Sequence, residues 1–368
     1  MLTIEQERSQ SIEINVGQYV RALTFTANGE YLVTGDEKAV GVWRVKDGKQ
    51  VARMETGWRA LSLAASKNGK WIAAGTEREM LVWNAESYGE VLKHEEGNDV
   101  NGVDFSPDST RLVAGTDNKT AIVWDLATGK RVQTLLHQNC VIAAKYSPRG
   151  DRIATATFKG TVRVWDSNDG RLLVDIKVTV TLFYNTGLLW FDDRLFVITD
   201  KQVKEFDAST GSKVSEWPVL DTSWHSCIAL PKHKQFIAFS AIRTITFWDL
   251  STHNQLPLTL HHPERIHSIA FSPDNRVLAI GGGEKITIQS LLAIKVNATF
   301  CRAISSLNSF LAPAFSPSVP LTSYFPRTRH SNRRRYTRLV EARSPRKRRS
   351  VIDCVHQPVT ESKPSRTR

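Results

Sequence analysis

The feature of this sequence that most limits its fold is a phrase that returns every 40 to 42 residues. Each copy has a short polar turn, an apolar run that ends near glycine, a second turn, and β-forming residues that close on an aromatic side chain. The closing positions, including one degenerate copy, are Trp43, Trp83, Trp124, Trp165, Phe206, Trp248 and Gln289. Seven positions in so narrow a band of spacings indicate an internally repeated fold.

The best-formed copy predicts the local structure of one repeat. Residues 105–125, FSPDSTRLVAGTDNKTAIVWD, predict a strand, a Pro-Asp turn, a strand, a polar turn and a third strand. Pro107 and Asp108 supply the fixed φ angle and the side-chain acceptor that favour a tight turn. One such antiparallel sheet cannot hide both of its faces, so neighbouring sheets are expected to stack in a ring, with a tryptophan packed between them.

A period of about 41 residues is typical of one four-stranded blade in a WD40 propeller. The pair Trp-Asp is present as Trp124-Asp125, Trp165-Asp166 and Trp248-Asp249. The sequence therefore resembles the WD40-repeat β-propeller family over roughly residues 10 to 290. The resemblance implies an all-β, seven-bladed propeller.

The same alignment of repeats predicts the organisation of the chain. We expect an N-terminal extension at residues 1–10, a propeller at 11–290, and a disordered Ser/Pro/Arg-rich tail at 291–368. The segment SIEIN, residues 11–15, alternates like a strand and is expected to close the degenerate last blade. The fifth repeat, around residues 175–210, fits worst, and its start is ambiguous.

Family blades often carry a histidine before the first strand that is hydrogen-bonded within the blade. The matching positions here are His137 and His262, and most other repeats depart from the pattern. We therefore expect packing of tryptophan and aliphatic side chains to stabilise the blades more than a repeated polar network does.

The sequence offers little for catalysis. It contains no GxSxG, HExxH or phosphate-loop motif. Gly281–Gly283 opens onto another strand and predicts a turn, because a phosphate loop needs a following helix. No carboxylate or cysteine lies at a repeated ligand spacing from His261, His262 and His267, which favours hydrogen-bonding roles over metal binding. We predict no enzymatic activity, no cofactor and no metal, and a propeller enzyme is the weakest alternative.

The repeat register predicts which residues surround the mouth of the central channel. In this family, positions just before the first strand commonly contact partner peptides, and large amphipathic side chains favour binding. The predicted partner-binding residues are Tyr19, Arg21, Trp58, Arg59, Asp99, Asn101, Tyr184, Trp224, Arg265 and His267. In the alternative interpretation, Tyr19, Trp58 and Trp224 simply pack between blades. The main hypothesis is a monomeric propeller that serves as a scaffold or adaptor in a multiprotein complex.

The formal net charge of +12 belongs to the C-terminal segment, since residues 290–368 sum to +13 and residues 1–289 sum to −1. Two basic clusters there resemble a two-part nuclear import signal and could also bind RNA backbone. They comprise Arg333, Arg334, Arg335, Arg346, Lys347, Arg348 and Arg349. The alternative function is thus a nuclear or nucleolar RNA-associated factor. A further alternative is that the tail is a translated intron or a shifted reading frame.

The cellular location of the protein is predicted from its cysteines and from the polarity of its sequence. The four cysteines are far apart and form no CxxC pair, which favours a reducing compartment. The polar start is unlike a secretory signal, and the least polar long stretch contains three prolines. We expect an intracellular protein without a membrane span, in the cytoplasm, the nucleus or both.

Overall fold

Twenty-eight β-strands and no helix form the part of the chain that the computed structural model describes, residues 11–178, 187–199, 202–219, 227–231 and 236–291. All of these residues belong to one compact unit, Met1–Ala303. The strands form seven four-stranded antiparallel sheets, here called blades 1 to 7 in chain order. The predicted N-terminal extension and, apart from Leu291, the predicted tail lie outside the described residues.

Blades 1 to 4 are meanders in which consecutive strands pair. Blade 1 contains β2 (Ala22–Phe25), β3 (Tyr31–Gly35), β4 (Ala39–Arg44) and β5 (Gln50–Glu55). Blade 2 contains β6 (Ala60–Ala65), β7 (Trp71–Thr76), β8 (Glu79–Asn84) and β9 (Glu90–Glu95). Blade 3 contains β10 (Val100–Phe105), β11 (Arg111–Thr116), β12 (Thr120–Asp125) and β13 (Lys130–Leu136). Blade 4 contains β14 (Val141–Tyr146), β15 (Arg152–Thr157), β16 (Thr161–Asp166) and β17 (Leu172–Lys177).

Blades 5 and 6 follow the same order, and blade 7 takes its fourth strand from the N-terminal end. Blade 5 contains β18 (Leu188–Phe191), β19 (Arg194–Ile198), β20 (Gln202–Asp207) and β21 (Lys213–Pro218). Blade 6 contains β22 (Ile228–Ala229), β23 (Phe236–Ser240), β24 (Thr244–Asp249) and β25 (Gln255–His261). Blade 7 contains β26 (Ile266–Phe271), β27 (Val277–Gly282), β28 (Lys285–Ser290) and β1 (Ser11–Asn15).

The first strands of the blades surround a central channel. Each first strand contacts the first strand of the next blade, and the contact between β26 and β2 closes the ring. All seven first strands line a channel of about 580 Å³. The predicted all-β, seven-bladed propeller is therefore confirmed.

Blade 7 is completed by the pairing of β1 with β28, with Ile12 opposite Ile288 and Ile14 opposite Ile286. The Ile14 side chain is buried and belongs to a cluster that also contains Trp43 of blade 1. This strand therefore joins the two ends of the repeat array, both by backbone hydrogen bonds and by apolar packing.

Five of the six aromatic anchors are buried between the blades, and Trp248 is partly buried. Trp43, Trp83, Trp124, Trp165 and Phe206 are all buried, and each belongs to a cluster that spans two adjacent blades. In blades 1 to 6 the register between the third and fourth strands shifts at this aromatic position. Such a bulge bends and twists the strand locally. The recurrent aromatic thus marks both an interblade contact and a bulge.

Candidate functional site

One end of the ring, here called the loop face, is formed by two kinds of connection. These are the loops that precede each first strand and the turns between second and third strands. Backbone hydrogen bonds join them: Thr56 N–H donates to the Lys38 carbonyl, and Asp117 N–H donates to the Asp99 carbonyl at 2.9 Å. Residues of both connections are therefore held side by side around the channel mouth.

A chain of charged side chains crosses the loop face from blade 1 to blade 2. Arg21 binds Glu37, with 2.9 Å between Nη2 and Oε1. Glu37 also lies 3.9 Å from Arg59 Nε, and Arg59 donates to Glu77 Oε1 at 2.6 Å. The hydrogen bond that Arg59 donates to Glu77 is the largest cause of the raised pKa of Arg59. These groups are each about one-quarter to one-third exposed, so they remain accessible while fixing one another's positions.

The chain of charges becomes acidic at blade 3. Burial, and then the nearby carboxylates of Asp117 and Glu77, raise the pKa of Asp99 to about 6, against a lowering effect from Arg59. Burial also raises the pKa of Asp117, although the Asn101 amide donates to its Oδ1 at 2.7 Å. The charged groups that act on Asp99 are thus two carboxylates and one guanidinium.

Two exposed aromatic side chains flank the charged groups. Tyr19 is 45% exposed and contacts His267 edge to face, with ring centroids 5.4 Å apart. Trp58 is 36% exposed, and the Arg78 guanidinium lies 4.6 Å from the centroid of its ring. Aromatic rings that keep a free edge or face at a surface provide contact area at modest entropic cost.

The structure does not bring every predicted binding residue to the surface. Asn101 is 2% exposed, and its amide also donates to the Val141 carbonyl, so it joins the first strands of blades 3 and 4. His267 is 9% exposed. Arg265 is half-buried, and its Nε has no hydrogen-bond partner among the residues that the structure describes. Tyr184 and Trp224 lie outside the described residues.

Three residues of this face were missed by the sequence analysis, which considered only positions before the first strands. Glu37, Glu77 and Asp117 occupy the turns between second and third strands. They recur 40 residues apart, after Gly-Asp, Gly-Thr and Gly-Thr respectively. That recurrence of acidic residues was the signal that could have identified them.

The opposite end of the ring, here called the turn face, is formed by the turns between first and second strands and between third and fourth strands. The aspartates that follow the aromatic anchors cap turns there. Asp125 accepts from the N–H and hydroxyl of Thr128, and Asp166 accepts from Asn168 N–H at 2.8 Å. Asp249 accepts from Thr252 N–H in the same way. The pKa of each of these three carboxyl groups is lowered.

The two histidines at the family position make hydrogen bonds inside their blades. His137 Nε2 lies 2.8 Å from Thr155 Oγ1, and His262 Nε2 lies 3.2 Å from Thr287 Oγ1. At Gly283, which has φ of +57°, the Glu264 carboxylate fills the space that a Cβ would need. This glycine forms the turn between β27 and β28.

Within the described ranges, no group of three or more His, Cys, Asp or Glu side chains has a geometry that could hold a metal ion. Across the same part of the chain, no helix is long and apolar enough to cross a bilayer.

Comparisons with known proteins agree with this geometry. The family model described as "WD domain, G-beta repeat" matches residues 88–125, 129–166 and 254–288. Among solved structures, the β-propeller domain of Myceliophteria thermophila Cps50 (Swd1) is similar in fold, with a TM-score of 0.68 and 15% sequence identity. The match covers 76% of this chain and 99% of that one. No curated protein matches the sequence significantly.

Proposed function

Because this chain belongs to the WD40-repeat β-propeller family, we propose that it is a non-catalytic scaffold that binds protein partners on its loop face. The observation that carries the proposal is the combination of exposed aromatic rings with ordered charged groups around one channel mouth. Tyr19 and Trp58 offer contact area, while Arg21, Arg59 and their acidic partners offer hydrogen bonds in fixed positions.

The electrostatics of the loop face favour a particular kind of contact. Exposed ion pairs add little to the stability of the fold, so the chain of charges between blades 1 and 2 has a stronger rationale in recognition. Polar groups that are already oriented lower the entropic cost of binding. A partner segment with both apolar and charged side chains would match this surface.

The test compares two triple variants of the full chain in quantitative affinity purification. The loop-face variant carries Tyr19→Ala, Trp58→Ala and Arg59→Ala. The matched control carries Lys46→Ala, Lys49→Ala and Glu86→Ala, three exposed positions on the turn face of blades 1 and 2. We expect the amount of specific partners recovered with the loop-face variant to fall at least tenfold, and the amount recovered with the control to stay unchanged. Retention of all partners by the loop-face variant, with both variants folded, would overturn the proposal.

A further inference from the structure

A second cavity, of about 210 Å³, lies on the turn face between blades 3 and 4. Its walls come from the turns after β10 and β14 and from the turn between β16 and β17. It is lined mainly by polar side chains, and it lies away from the loop-face residues described above. Its chemistry is therefore independent of the proposed partner surface.

Tyr146 is one of the residues that line this cleft, and its buried hydroxyl has no hydrogen-bond partner among the described residues. The residue is 6% exposed. The corresponding last residue of the first strand is Phe25 in blade 1, Phe105 in blade 3 and Phe271 in blade 7. Phenylalanine would fill the same space without the cost of an unpaired buried hydroxyl. Tyrosine at this one blade thus points to a group that the hydroxyl binds.

The hydroxyl is suited to donate rather than accept. Burial is the largest cause of the raised pKa of Tyr146, so the phenol stays protonated at neutral pH. A protonated phenol can donate its hydrogen to an anionic oxygen.

Two arginines make the cleft cationic. Arg111 donates from Nη1 to the Ser167 carbonyl at 2.9 Å, and its other guanidinium N–H groups make no hydrogen bond with described residues. The Arg149 side chain is 76% exposed, and within the described ranges its one ion pair, to Asp193, is 3.7 Å long. Both guanidinium groups therefore have N–H donors available for a ligand.

The one carboxylate among the lining residues is already engaged. Asp108 accepts from the Ser106 hydroxyl and from Thr110 N–H, and the Ser106 hydrogen bond is the largest cause of its lowered pKa. The cleft therefore contains two cationic groups, Arg111 and Arg149, and one anionic group, Asp108. The Tyr146 hydroxyl adds a further hydrogen-bond donor. Guanidinium groups bind the oxygens of phosphate particularly well.

We propose that the cleft between blades 3 and 4 binds a phosphate group, with Arg111, Arg149 and Tyr146 as hydrogen-bond donors. The phosphate is either free inorganic phosphate or the phosphate of a phosphoserine side chain. Both sources present the same tetrahedral oxygens to these donors.

The test is isothermal titration of the full chain with sodium phosphate, against sodium chloride at equal ionic strength. Three variants are compared: Tyr146→Phe, Arg149→Ala, and the control Arg276→Ala. Arg276 is an exposed arginine in the corresponding turn of blade 7, with a similarly long contact of 3.8 Å to Asp274. Tyr146→Phe should fold, because three other blades have phenylalanine at this position.

We expect saturable binding of one phosphate, weakened about tenfold by Arg149→Ala and several-fold by Tyr146→Phe, and unchanged by Arg276→Ala. No saturable binding, or binding that both cleft variants retain, would overturn the proposal. A phosphoserine peptide that binds more tightly than inorganic phosphate, and competes with it, would identify a phosphorylated protein as the source. A peptide that binds no more tightly would identify free phosphate.

Discussion

Trp165 donates a hydrogen bond from its indole Nε1 to the hydroxyl oxygen of Thr155, at 2.8 Å. The same hydroxyl contacts His137 Nε2. Because His137 Nδ1 lies 3.0 Å from the Leu135 carbonyl, Nδ1 carries the proton and Nε2 accepts from Thr155. Blade 4 is thereby joined, from its entry loop to its third strand, by one continuous set of buried and partly buried hydrogen bonds.

Removal of the Thr155 hydroxyl should destabilise the propeller. Thr155→Ala would leave the Trp165 N–H and His137 Nε2 without their partner, and each unpaired buried group costs about 1 to 3 kcal/mol. We expect a loss of about 2 kcal/mol in the free energy of unfolding, measured by urea titration.

Adding a hydroxyl at the matched position in blade 3 should not destabilise the fold, in contrast to removing the Thr155 hydroxyl from blade 4. Ala114 occupies the place of Thr155, and the Trp124 Nε1 there has no hydrogen-bond partner in the described part of the chain. Its indole is instead stacked on His94, with ring centroids 3.6 Å apart. Ala114→Ser should therefore be neutral or stabilise the fold by up to about 1 kcal/mol. A loss similar to that of Thr155→Ala would contradict this account.

The neutral state of His137 predicts a dependence of stability on pH. Burial lowers the pKa of His137 to about 4, from an unfolded value near 6.5. The unfolded chain therefore binds this proton first, and stability falls as the pH drops from about 6.5 towards 4. The contribution of this residue is on the order of 2 kcal/mol. In urea titrations between pH 7 and 4.5, His137→Gln should flatten the slope, and an unchanged slope would exclude this role.

Ionisation of Asp99 changes the stability of the fold with pH in the opposite direction to His137. Its pKa is raised to about 6, so the folded protein binds this proton more tightly than the unfolded chain does. Ionisation of Asp99 therefore costs stability as the pH rises from about 4 through 6. Asp99→Asn should stabilise the protein at pH 7 by about 1 kcal/mol, after allowance for partial solvent screening. Thermal unfolding at pH 7 and pH 4 tests this, because the gain should disappear at pH 4.

The strand that closes the ring predicts a local effect on blade 7. Ile14 is buried between β28 and blade 1, whereas Glu13 on the same strand is exposed. Ile14→Ala should cost about 2 to 4 kcal/mol, and Glu13→Ala should cost little. Hydrogen exchange should show faster exchange of β28 amides in Ile14→Ala, and equal exchange in the two variants would contradict the role of this strand.

The sequence predicted the seven-bladed fold because its signal is repeated. Each anchor from Trp43 to Trp248 is weak alone, but their common spacing specifies stacked sheets. The charged groups of the loop face were harder to predict. Arg59 and Glu77 are 18 residues apart in the sequence, and they meet only when the two connections fold side by side. The sequence shows tyrosine at position 146 where three other blades have phenylalanine, but that its hydroxyl is buried without a partner among the described residues is visible only in the structure.

The most direct test of partner binding on the loop face is site-specific photo-crosslinking in the full chain. A photoreactive residue replaces Trp58 on the loop face or Ser87 on the turn face, both in blade 2. Partners recovered with the chain are then analysed by mass spectrometry. The account predicts cross-links from position 58 and few from position 87. Cross-links confined to position 87 would contradict it.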